Sequence, residues 1–221
     1  MGKEEVKALA VASEPSIFWR GENACQVIEK IAIPDELGKL IPADGKFNGP
    51  SGHALDDFVL RPLGLEREKT WLCDLIPHSC QNSKQKSALE RAYYPKIKEH
   101  GLIEPSVPEL PNPLADEIRR EEIWSEIIES GSDTLILLGD YPIKWFLSFI
   151  DNRWTKLSDF GKDSSTYGQL HHIQYQNNDF VVLPLTHPRQ SGRLGKSSDA
   201  WFELHHQWIT QTAKRIGDLI H

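Results

Sequence analysis

At two expected strand ends a titratable residue stands immediately before a proline, Glu14-Pro15 and His187-Pro188, and a third end carries Asp74. Proline fixes φ and removes a backbone donor, so both X-Pro pairs make rigid tips suited to aiming a side chain. A carboxylate can activate water or stabilise a developing cation, and an imidazole can donate a hydrogen bond to a departing anion. All three residues fall where predicted strands end. The apolar runs 8–12 (ALAVA), 70–76 (TWLCDLI), 134–138 (TLILL) and 180–185 (FVVLPL) lead respectively to residues 13–16, 74–78, 139–141 and 186–189. In open parallel sheets, ligands bind outside the carboxyl ends of the strands. Those ends are therefore the expected site.

Two polar stretches without a single acid lie at the same edge. Residues 76–87 hold Lys84 and Lys86; residues 186–198 hold Arg189, Arg193 and Lys196, with the Ser191 hydroxyl between them. Cationic loops create a local field that attracts a polyanion even when the whole chain is acidic. The formal net charge is −7. Residues 99–129 carry nine acids against Arg119 and Arg120, which accounts for all of it. The acidity is thus a local property, expected on a face away from the strand ends.

The elements that must position these groups alternate along the chain. Runs apolar on both faces read as buried parallel strands, and between them lie helical patterns at 55–63, 83–94, 114–130 and 143–150, with a last helix at 199–220. Residues 171–174 (HHIQ) read as a weaker edge or hairpin strand. Strand–helix alternation predicts an α/β fold, a three-layer α/β/α sandwich around a mainly parallel four-stranded sheet. The 221 residues, 39% hydrophobic and 26% charged, fit one soluble domain spanning 1–221, with a monomer favoured. The apolar stretch at 8–13 is too short for a leader, and nothing approaches a membrane span, so a cytoplasmic protein without a membrane partner is expected. Three cysteines without a C-x-x-C pair argue against a disulfide framework, and a four-thiolate cluster cannot be built from this chain alone. The pairs His171-His172 and His205-His206 do not make metal sites, because adjacent side chains point apart. Neither a metal nor another cofactor is expected. Ser51, in Gly-Pro-Ser-Gly, lacks the G-x-S-x-G elbow of serine hydrolases.

Taken in order, several pieces resemble the uracil-DNA glycosylase superfamily, most closely its bacterial and archaeal iron–sulfur branch. They are Ala12-Ser13-Glu14-Pro15-Ser16; Gly45-Lys46-Phe47-Asn48-Gly49-Pro50-Ser51-Gly52 with Leu55-Asp56; Gly64-Leu65 with Trp71-Leu72-Cys73-Asp74; Leu137-Leu138-Gly139; and Thr186-His187-Pro188 with Ser191, followed by Trp201-Phe202. The cluster cysteines of that branch are missing. The resemblance implies an N-glycosylase that hydrolyses the bond to a damaged base flipped out of DNA, since C1′ cannot be reached inside the stack. It implies that His187 hydrogen-bonds O2 of the leaving base and that Glu14, beside Pro15, positions water or stabilises the cationic sugar. It further implies that Phe47 stacks on the base and that Asp74 reads its edge. The loop with Arg189, Ser191, Arg193 and Lys196, together with Lys84, would hold the DNA. Asp74 stands where uracil-removing members keep an Asn. An amide donates and accepts, whereas a carboxylate only accepts. Either the substrate differs, as a cytosine-like or purine-derived base, or Asp74 is protonated, or activity is lost and the protein binds nucleic acid or a nucleobase-containing ligand.

Overall fold

Val182, Leu183 and Leu185 keep no surface open to solvent, and the strand that carries them is the middle one of the sheet. The computed structural model describes residues 50–67, 70–76, 87, 91, 94–101 and 110–220. Their helices are α1, which runs through Pro50–Leu55, a π turn at Asp56–Leu60 and a last turn at Arg61–Leu63; α2 (Tyr94–His100); and α3 (Glu117–Ser130). Further along come α4, built as Asp140–Pro142, a π turn at Ile143–Leu147 and Ser148–Ile150; α5 (Pro188–Ser191); α6 (Asp199–Gln211); and α7 (Ala213–Ile220). The strands are β1 (Thr134–Leu138), β2 (His171–Tyr175) and β3 (Asn178–Leu185), in the order β1-β3-β2. The chain divides into two compact units, Met1–Phe47 with Ile76–Leu114, and Asn48–Leu75 with Ala115–His221. The described part of the first is chiefly α2, closed by Gly101 at φ +63°. Everything below concerns the second.

β1 pairs parallel to β3, with Leu135 opposite Val182 and Leu138 opposite Leu185. β2 pairs antiparallel to β3 as an edge hairpin, as its alternating pattern implied. The two turn residues, Gln176 and Asn177, both have positive φ, 50° and 65°, the backbone that a two-residue hairpin with the right twist demands. Gln176 compensates through its side chain, whose Oε1 accepts from Trp124 Nε1 of α3 at 2.9 Å. The Trp124 indole then packs edge-on against Tyr175 and Phe180, which seats α3 on the hairpin. Asp116 caps α3 by accepting from the Arg119 N–H at 2.9 Å, and Gly131 in the left-handed region ends it.

Direction along β3 follows from two bonds. Val181 N–H donates to the Asp133 carbonyl and the Leu185 carbonyl accepts from Gly139 N–H, so odd-numbered backbone groups of β3 face β1. Even-numbered ones face the β2 side, because strand polar groups alternate with period two. β2 stops at His171, opposite Val182. Pro184 therefore sits where no β2 partner remains, and its missing N–H costs the ladder nothing.

One expectation about the sheet is corrected. The sheet of described residues is small, three-stranded and mixed, and residues 70–76 are not one of its strands. Trp71 is 47% exposed, and the carbonyls of Asp74 and Leu75 are taken by the Arg119 guanidinium of α3 instead of by a neighbouring strand. The run 8–12 lies outside the described residues. The long C-terminal helix is also broken at Thr212 (φ −128°) into α6 and α7. α7 then crosses the end of α1 so closely that a side chain at Gly217 would collide with the Leu63 carbonyl. Leu55, Val59 and Leu63 of α1 join Trp208, Ala213 and Ile216 of α6 and α7 in one apolar core with the sheet.

Candidate functional site around His187

β3 delivers His187 to the surface under restraint from both sides. On the β1 side, Gly139 N–H donates to the Leu185 carbonyl at 2.8 Å. On the other side β2 has ended, and the Tyr167 hydroxyl takes its place by accepting from Thr186 N–H at 2.9 Å. Tyr167 is 1% exposed, and burial pushes its phenol well above the ordinary range. Its oxygen lies 2.6 Å from His205 Nδ1, while His205 Nε2 lies 2.8 Å from the Phe58 carbonyl. A carbonyl only accepts, so the proton sits on Nε2 and Nδ1 accepts from Tyr167. This relay ties α6, α1 and the end of β3 together within the core. His205 has no exposed surface, and burial pushes its pKa down to about 4.

Gly139 explains the glycine that closes the β1 motif. Its φ is +87°, and a Cβ there would lie 3.0 Å from the Cβ of His187. Gly139→Ala is expected to cost about 1–3 kcal/mol in backbone strain alone and to push His187 off its position. Thermal melts should show the loss, and displaced His187 imidazole resonances should show the movement. An unmoved resonance would mean the close approach is incidental.

His187 is exposed and caps α5: its Nδ1 accepts the Arg189 N–H at 3.1 Å. In the neutral ring the proton must then sit on Nε2, which leaves Nε2–H as the donor. Desolvation by the surrounding atoms, then the Arg189 charge, lower the His187 pKa; the Asp74 carboxylate pulls it partly back. Asp74 is exposed and lies near enough to His187 for that charge to act. The structure thus brings together two of the expected site residues. Glu14, Pro15, Phe47 and Lys84 lie outside the described residues.

The loop after His187 is tightly organised. The Arg189 carbonyl accepts from Leu194 N–H at 2.8 Å, and Gln190 Oε1 accepts from Ser198 N–H at 2.7 Å. Ser191 is fully buried, with its hydroxyl on the Pro188 carbonyl and its own carbonyl facing His206 Nε2 at 3.1 Å. Arg193, at φ +50°, lies over the Phe202 ring, 4.0 Å from its centroid, and pairs with Asp199 at 3.2 Å. Arg189 and Lys196 are exposed. Ser191 and Arg193 therefore shape the loop, while Arg189 and Lys196 present charge to solvent. His205 and His206 donate to carbonyls of separate segments, and no group of three or more His, Cys, Asp or Glu among the described residues is placed to hold a metal.

Three residues around the site escape the sequence reading. Tyr167 and His205 leave no pattern, because their partnership spans 38 positions. Arg119 does leave one: a cation with glutamates three and seven positions on, in a helix rich in acids, is spaced for a shared face.

The fold and site define a mixed α/β protein with a backbone-oriented histidine at the exit of its central strand. No protein-family model matches the chain, and a search of curated proteins finds no match. No helix among the described residues is long and apolar enough to cross a membrane.

Proposed function

We propose that the chain is a DNA glycosylase-like hydrolase that cleaves the N-glycosidic bond of a flipped-out deaminated base. The observation that carries the reading is His187 held neutral with Nδ1 occupied by a backbone N–H, so that Nε2–H is its only donor. A neutral donor aimed at a developing oxyanion stabilises the transition state without having to lose a proton. As the C1′–N bond breaks, its electron pair moves onto the base, and Nε2–H stabilises the anion at a carbonyl oxygen. Water adds to C1′ and loses its proton to a base, the role read for Glu14, leaving free base and an abasic sugar. Phe47 stacks on the flipped base in this reading, and Asp74 faces its edge.

The finer fold belongs to the same proposal: a three-layer α/β/α sandwich around a four-stranded, mainly parallel sheet. DNA is the partner, engaged by exposed Arg189 and Lys196 in a loop free of acids from 186 to 198. The site is read as cofactor-free and the protein as cytoplasmic. Asp74 favours a second reading in which the site binds a nucleobase without cleaving it, because a carboxylate cannot donate to a carbonyl edge.

The test is a panel of oligonucleotides bearing uracil, hypoxanthine, xanthine or other deaminated bases, scored for alkali-labile abasic product. Excision of at least one base is expected, with a loss of 10²-fold or more in His187→Ala, the scale of a missing oxyanion donor. Silence on every base, with binding retained, would put the non-catalytic reading in its place.

A further inference from the structure

The Arg119 guanidinium is 90% buried at its side chain and finds an acceptor for each of its five N–H groups. Nε donates to the Leu75 carbonyl at 3.2 Å, and Nη2 to the Asp74 carbonyl at 2.7 Å and the Cys73 sulfur at 3.8 Å. Nη1 donates to Glu122 at 3.0 Å and Glu126 at 2.9 Å. Three of the five bonds thus go to consecutive residues of one irregular segment and two to α3, the helix that carries Arg119. Residues 73–75 have no strand ladder to fix them, so this fork supplies the restraint that a sheet would have given. Only arginine can do so: its five donors lie in a rigid plane, whereas a lysine ammonium is a compact point charge.

We infer that Arg119 is a positioning residue, which through its grip on the backbone of residues 73–75 holds the Asp74 carboxylate within electrostatic reach of His187. The cation itself is neutralised by Glu122 and Glu126, so its influence on His187 travels through geometry. The acidic helix is thereby tied to the strand-end site rather than standing apart from it. Among the described residues, the charged groups that act on His187 are Arg189, on its own loop, and Asp74, on the segment Arg119 holds. That this coupling helps select a base rests on the function proposed above; the coupling itself does not.

The experiment reads the His187 pKa by NMR, with the resonance assigned through His187→Ala. Asp74→Asn removes the carboxylate and should lower the His187 pKa. Arg119→Lys keeps the charge against Glu126 but loses the fork, and should lower it in the same direction. In an Asp74→Asn background, Arg119→Lys should have no further effect, because its influence passes through Asp74. A merely structural arginine would lower the melting temperature without this dependence. If Arg119→Lys fails to fold, Arg119→Met with Glu126→Met, which leaves neither of those two charges buried alone, takes its place with the same expectation. A folded variant with an unchanged His187 pKa, or the same shift in both backgrounds, overturns the inference. Neither result depends on base excision, so a silent lesion panel would leave this conclusion standing.

Discussion

Acidification from pH 7 to pH 4 is expected to remove about 3 kcal/mol of folding stability through His205 alone. The imidazole titrates near 6.5 in an unfolded chain and is pushed down to about 4 in the fold. Between those values the unfolded state binds a proton that the folded state refuses, so stability rises with pH across the window. The contribution is complete above the unfolded pKa and is lost as pH falls toward the folded one. About 2.5 units at 1.36 kcal/mol each sets the size. The physical obstacle is specific: protonating Nδ1 turns the acceptor of the Tyr167 hydroxyl into a second donor, in a site with no exposed surface. Urea melts between pH 7 and 4.5 should therefore give a steep pH dependence in the natural protein. His205→Gln, which cannot titrate, should be less stable at pH 7 yet flatter across the window. Parallel profiles for the two proteins would place the titrating group elsewhere. His187 and His171, both lowered chiefly by desolvation, act in the same direction in both proteins and cancel in the difference.

Asp74→Asn is expected to produce uracil excision where the natural protein shows little or none. A reader that hydrogen-bonds the wrong way at an edge the bound base covers can cost discrimination of about 10⁴, so the gain can reach that size. The substitution is unusually clean here, because Arg119 grips the Asp74 carbonyl and a side-chain exchange leaves that bond in place. It also removes a charge that draws the His187 pKa upward, which keeps Nε2–H a neutral donor over a wider pH range. Single-turnover assays on a uracil oligonucleotide would measure the effect. Strong excision by the natural protein, unchanged in Asp74→Asn, would mean that Asp74 does not face the base.

The parts of the fold that the sequence revealed are those governed by period. β1 and the apolar half of β3 stand within two residues of their expected ends, and β2 lies at the edge as its alternation implied. Apolarity alone misled at 70–76, where Leu72 and Leu75 pack against the core while Trp71 is open and the backbone polar groups go to Arg119. A run of seven residues cannot reveal which partner its carbonyls will find, since that partner lies 44 or 45 positions away. The same limit applies at the site. The sequence could place His187 at a strand end through its proline, but not the Arg189 N–H that chooses its tautomer. Nor could it show that a tyrosine and a histidine, each ordinary in composition, would finish the ladder that β2 leaves short.

Pro184 bears on how the chain avoids going wrong. The segment from Phe180 to Leu185 is short, apolar and uncharged, the kind of strand that can recruit further copies of itself before its own helices cover it. Stacked aggregates require each strand to be hydrogen-bonded along both edges. In β3 one edge has amides at Val181, Leu183 and Leu185, while the other lacks one at Pro184. A new strand could complete its pairing on one side only. A slip of one residue against β1 fares no better: it would turn the proline toward the partner and carry Leu183 and Leu185 to the opposite face. One missing hydrogen, harmless in the native register, thus guards this apolar stretch of the sheet.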